Sequence, residues 1–74
     1  MATLRAAFGR TVRELRLELI LSQEKLAQKV KVSRNFLGSV ERGESSLSLD
    51  VADRFAKAVG MRLSDLFLKT ESHR

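Results

Sequence analysis

The sequence predicts an all-α fold, a compact bundle of five helices, and three observations carry that reading. Apolar residues recur every three or four positions, and no segment reads as a strand. Hydroxyl side chains stand just ahead of the periodic runs, at Ser22, Ser33, Ser48 and Ser64, where a helix needs an acceptor for its first unpaired N–H groups. Gly43 and Gly60 stand just behind two of those runs, where a left-handed residue closes a helix. A chain of 74 residues holds one domain, spanning 1–74. At that size only about 60% of the unfolded surface is buried, so stability is modest and self-association would add to it.

The first helix is expected from about Leu4 to Leu19, with Leu4, Phe8, Val12, Leu15 and Leu19 on its core face. Two short helices joined by a tight turn follow, from Gln23 to Arg42. Ser22 and Ser33 cap them, and Leu26, Val30, Leu37 and Val40 give one inward apolar position per turn. Val32 plugs the turn between them, and Ala27 is small enough to let the second of the pair cross the first at close range. That combination reads as a helix-turn-helix. A fourth helix, capped by Ser48 and closed by Gly60, presents Val51, Ala52, Phe55, Ala56 and Val59 inward. Ser64 opens a short fifth helix through Asp65, Leu66, Phe67 and Leu68, and residues 70–74 read as a frayed polar tail.

Net charge is +5, and its location narrows the function. Residues 1–43 hold nine Lys/Arg against four Glu, whereas residues 44–74 hold five of each sign. The excess therefore lies in the half that contains the helix-turn-helix, as a polyanion-facing surface requires. With no Cys and a single His73 in the polar tail, neither a disulfide nor a metal cluster is expected. No apolar run exceeds three residues, so no membrane span or signal-peptide core is expected, and the expected address is cytoplasmic. Nothing asks for a cofactor or small-molecule ligand. An enzyme would have little to work with, since there is no Gly-rich phosphate loop either.

In a helix-turn-helix the second helix enters the major groove while the first lies across the sugar-phosphate backbone. With Leu37 and Val40 turned inward, the wheel turns Arg34, Asn35, Gly38, Ser39 and Arg42 outward. Arg34 can donate twice to guanine and Asn35 can pair with adenine, so these two are the candidate base readers. Ser39 is a secondary contact, and Gly38 is merely permissive. Gln23 opens its helix at the positive dipole end, where an amide can grip a phosphate. Ser33 belongs to the expected DNA-binding set, and Arg42, Ser45 and Ser46, which follow the recognition helix, are expected to donate to phosphates on the flanking strand, where Glu44 in the same loop is unfavourable.

The strings Leu21-Ser22-Gln23-Glu24-Lys25-Leu26-Ala27, Val32-Ser33-Arg34 and Val40-Glu41-Arg42-Gly43 resemble the Cro and phage-repressor family of DNA-binding domains, also called XRE-type. The resemblance runs from Gly9 to Phe67. Departures are Lys31 and Ile20 where the family has Gly at turns, Gly38 in the recognition helix, and Leu47 where Pro is common. Lys31 and Ile20 are thus expected in a left-handed backbone, at roughly 1 kcal/mol for each non-Gly residue. Phe36 stands where relatives often carry Tyr, which removes a phenolic hydrogen bond to phosphate.

The resemblance implies a structural pair between Arg16 and Glu41. It also implies a sequence-specific transcriptional regulator that binds double-stranded DNA as a homodimer on a palindromic operator. The small size and the run Ser46-Leu47-Ser48-Leu49-Asp50 look like the controller proteins of restriction-modification systems. A prophage repressor, the antitoxin of a toxin pair, and a protein-interaction module that has lost DNA binding stay open as alternatives. Relatives of this type pair through the C-terminal end, which makes Met61, Leu63, Leu66, Phe67 and Leu68 the expected dimer interface, with Leu66 and Phe67 divided between core and contact.

Overall fold

The computed structural model describes residues 2–74. Among them lie five helices and no strand: α1 (Leu4–Glu18), α2 (Gln23–Val30), α3 (Arg34–Glu41), α4 (Leu49–Ala58) and α5 (Leu63–Glu71). Each of the first four starts where a hydroxyl can accept from an orphan backbone N–H. Thr3 accepts from Ala6, Ser22 from Lys25, Ser33 from Phe36 and Ser48 from Val51, all within 3.2 Å. Helix α5 departs from that scheme. It begins at Leu63, one residue before Ser64, and its N-cap residue Arg62 makes no side-chain cap bond.

Helix α1 packs against α3 and α5, α2 against α3 and α4, and α4 against α5. The core they enclose is built from Phe8, Val12, Leu15, Leu26, Ala27, Val30, Leu37, Val40, Ala52, Phe55, Ala56 and Leu66. Phe8 meets Phe55 edge to face, with ring centroids 5.8 Å apart and planes at 87°. Val51 and Val59, expected inward on α4, are half-buried against this core, and Val32 in the turn is too.

Leu4 and Leu19 are corrected from core to surface, at 50% and 48% exposed. They lie at the two ends of α1, Leu4 as its first residue and Leu19 as its C-cap. The buried stripe between them is completed by small residues, Ala7, Gly9 and Thr11. Gly9 shows why. A Cβ there would stand 2.1 Å from the carbonyl oxygen of Val40 and 3.0 Å from that of Glu41, so α1 and the end of α3 cross with backbones in contact. The Thr11 hydroxyl is satisfied by its own helix, donating to the Ala7 carbonyl at 2.9 Å.

The expected tail at 70–74 is also shortened. Thr70 is a fully buried residue of α5 whose hydroxyl donates to the Leu66 carbonyl at 2.9 Å. His73 folds back on α1, its Nε2 2.8 Å from Glu14 Oε1. A polar residue on the inner face of a helix reads as surface in a sequence, but a threonine can bury itself by bonding one turn back. The two turns expected to be strained have the expected conformation, with φ of 56° at Ile20 and 66° at Lys31.

Candidate nucleic-acid interface

Helix α3 is held from behind by one ionic network. Arg16 on α1 donates from Nε to Glu41 Oε2 at 2.6 Å, from Nη2 to Oε1 at 3.1 Å, and from Nη1 to the Leu21 carbonyl at 2.9 Å. The Glu41 side chain is 3% exposed and that of Arg16 10%, so each charge depends on the other for solvation. Gln23 joins from the start of α2, its Nε2 donating to Glu41 Oε1 at 3.0 Å. This fixes the amide and leaves its second N–H without a partner among the described residues. The network ties α1, α2 and α3 together.

On the other side of α3, Arg34 and Asn35 are exposed and make no side-chain hydrogen bond or ion pair among the described residues. Arg34 is the first residue of α3, and the first turn holds no acidic residue. A cation at the positive end of a helix dipole is unfavourable by roughly 0.3–1 kcal/mol. The arrangement makes sense for a surface that meets an anion. Ser33 accepts from the Phe36 N–H but keeps its own hydroxyl hydrogen.

The remaining expected contacts are more engaged. Ser39 is half-buried and donates to the Phe36 carbonyl at 2.7 Å, while its oxygen lies in hydrogen-bond contact with that of Ser45. The two hydroxyls are thus engaged with each other and, through Ser39, with the α3 backbone. Ser46 is exposed. Arg42 is exposed and paired through Nε with Glu44 Oε1 at 3.1 Å, which tempers its charge. Gly38 is corrected: it is buried, covered by the side chains of Arg42 and Gln23.

At the C-terminal end, Leu66 is corrected from interface to core, because no part of it is exposed to a partner. Met61, Leu63 and Phe67 are half-buried, and Leu68 is 70% exposed. Phe67 leans on Phe8, with centroids 6.2 Å apart.

Two positioning residues escape a reading of the sequence. Gly9 could have been found as a glycine inside a helical run, since such a residue needs a packing reason. Arg54 on α4 had no signal: its Nε donates to the Val30 carbonyl at 2.9 Å, closing the C-terminal end of α2 beside the turn. No helix of the described residues is long and apolar enough to cross a membrane.

The likeness to known proteins follows the same elements. The chain is 39% identical over 64 residues to the control protein C.BamHI of Bacillus amyloliquefaciens, covering 85% of this chain and 79% of that protein. The restriction-modification controller protein C.AhdI from Aeromonas hydrophila superposes with a TM-score of 0.80 at 37% identity, over 84% of this chain and 94% of that one. The controller protein C.Esp1396I, solved as a tetramer on its 35-base-pair operator, shares the fold, with a TM-score of 0.87 at 20% identity over 99% of this chain and 96% of that one. The helix-turn-helix family model matches residues 12–66, from the middle of α1 into α5, and the chain belongs to that XRE-type helix-turn-helix family.

Proposed function

We propose that this protein is a sequence-specific, DNA-binding regulator of transcription in the cytoplasm, which binds a two-fold-symmetric operator as a homodimer. Within that class we assign it to the controllers of restriction-modification systems, the role of C.AhdI, with C.BamHI likewise a control protein. The observation that carries the reading is the pairing of two unlike surfaces on α3. Its inner side is locked by Arg16, Glu41 and Gln23, and its outer side presents Arg34 and Asn35 with their donors uncommitted. A rigid helix with exposed bidentate donors is what base readout requires. The +5 charge of residues 1–43 adds attraction for the phosphate backbone.

For the dimer, support comes from Leu68, exposed at 70%, beside half-buried Met61, Leu63 and Phe67 in the charge-neutral half of the chain. A two-fold pair with recognition helices about 34 Å apart meets successive turns of one face of DNA. Random-site selection on the purified protein tests the assignment. A recovered palindrome with half-sites about one turn apart supports it, and recovery of no common sequence overturns it. A palindrome upstream of an adjacent pair of restriction and modification genes would assign the controller role over the prophage-repressor and antitoxin alternatives.

A further inference from the structure

Gly38 sits in the middle of α3, where glycine is unfavourable by about 1 kcal/mol relative to alanine. The space a side chain would take is occupied. A Cβ at Gly38 would lie 3.1 Å from Nη1 of Arg42 and 3.9 Å from both Nε2 and Oε1 of Gln23. Arg42, the C-cap of α3, therefore runs back along the helix over the residue one turn before it, the direction helical side chains favour. Its Nη1 lies over Gly38 on the same side as the Gln23 amide, while its Nε stays with Glu44 of the loop that follows.

Glu44 completes the arrangement. It holds the Nε edge of Arg42 at 3.1 Å, and neither terminal nitrogen makes a hydrogen bond among the described residues. The two terminal amino groups are the pair that donates in parallel to O6 and N7 of guanine. A phosphate contact would need no such orientation, and it would be weakened by a carboxylate 60% exposed at its side.

We propose that Arg42 is a second base-reading side chain, directed at a guanine in the major groove, with Gly38 and Glu44 as the residues that position it. This rests on the DNA-binding reading above. Gly38 leaves room for the guanidinium to lie along the helix, and Glu44 holds its Nε edge, which leaves both terminal amino groups without a hydrogen-bond partner among the described residues and offsets part of its charge. Arg42 then adds discrimination between sequences more than attraction for DNA in general.

The test uses the full chain, the duplex recovered by random-site selection, and an unrelated duplex of equal length at fixed salt. The readout is the ratio of the two dissociation constants. Arg42→Lys keeps the charge and loses the paired donors, so the ratio should fall about tenfold, with the loss traced to one G·C pair whose substitution no longer affects the variant. Gly38→Ala should keep or raise the melting temperature, because the neighbour it meets is the far end of a flexible side chain, yet lower the ratio as the guanidinium is displaced. Glu44→Gln can still accept from Nε and should tighten binding to both duplexes alike, leaving the ratio intact, whereas Glu44→Ala should lower it. A wild-type ratio in Arg42→Lys, with Arg42→Ala weakening both duplexes equally, would make Arg42 a phosphate contact and overturn the proposal while DNA binding stands. Failure of the wild-type chain to prefer any duplex would instead sink the reading on which it rests.

Discussion

Arg16 and Glu41, 25 residues apart in the chain, form a two-bond ion pair with almost no contact with solvent. The pair gives α3 a fixed position relative to α1, and it holds Gln23 through Glu41 Oε1. Because both charges are desolvated, removing one partner is a different experiment from removing both. Arg16→Met should destabilise the fold by about 3–5 kcal/mol, since the Glu41 carboxylate would remain buried with only an amide beside it. The double variant Arg16→Met with Glu41→Leu should recover most of the loss. Urea unfolding midpoints at pH 7 measure this, and equal losses in the single and double variants would show that packing and not charge pairing holds the two helices.

Gly9→Ala is expected to be among the most damaging single-methyl additions in this chain. The new Cβ would meet backbone oxygens of Val40 and Glu41, which cannot rotate away, so α1 and α3 must separate. Overpacking typically destabilises by 1–3 kcal/mol, and at this chain size each kcal/mol lowers the melting temperature by about 4–8 °C. A melting temperature within a degree or two of wild type would mean that the helices slide apart without loss. Gly38→Ala, which meets only side-chain atoms, is the matched control.

Much of this architecture was legible because its causes are local. A hydroxyl at Ser22, Ser33 or Ser48 caps the three residues that follow it, and Leu26, Val30, Leu37 and Val40 are inward by helical spacing alone. For Ile20 and Lys31 the only signal of a left-handed backbone is that they stand where the family has glycine, and their φ values agree. What stayed hidden depends on where distant segments land. Leu66 and Leu68 look alike in sequence, yet one is sealed under α1 and α4 and the other faces outward. The inner face of α5 continues into Thr70, whose polarity masks it. The Arg54 bond to Val30 and the seat of Arg42 over Gly38 arise from tertiary placement that no spacing rule encodes.

Arg34→Ala should separate stability from recognition. The side chain is exposed and unpaired at the start of α3, so its loss should leave the unfolding midpoint unchanged or slightly raised, as an unfavourable charge leaves the positive dipole end. Discrimination between operator and random DNA should fall by about 1–3 kcal/mol, the value of one paired base contact. Titrations of both duplexes at one salt concentration decide it. An unchanged ratio would demote Arg34 to a backbone contact or a bystander.

Binding should weaken steeply with salt, because each phosphate neutralised by Lys or Arg contributes about 0.9 to the slope of log affinity against log salt. Gln23→Ala removes a neutral donor, so the slope should stay close to wild type while affinity falls alike on operator and random duplexes. The same variant takes one hydrogen bond from the buried Glu41, and a small drop in the unfolding midpoint should accompany it. A flat salt dependence in the wild-type protein would favour the protein-interaction module.

The dimer makes the sharpest demand on the C-terminal helix, because α5 offers two leucines two residues apart with opposite surroundings. Leu68 is 70% exposed, so Leu68→Glu should leave the melting temperature of the monomer almost unaltered while placing a charge in any contact built from that side of α5. Leu66 is fully buried, so Leu66→Glu should unfold the domain outright. Ile20, 91% exposed in the turn between α1 and α2, is an equally apolar control outside α5. If α5 forms the interface, Leu68→Glu sediments as a monomer at micromolar concentration and loses operator affinity through the lost second half-site, while Ile20→Glu stays dimeric. A Leu68→Glu variant that remains dimeric would move the interface elsewhere. A wild-type monomer that still binds the operator one subunit at a time would remove the two-fold arrangement altogether.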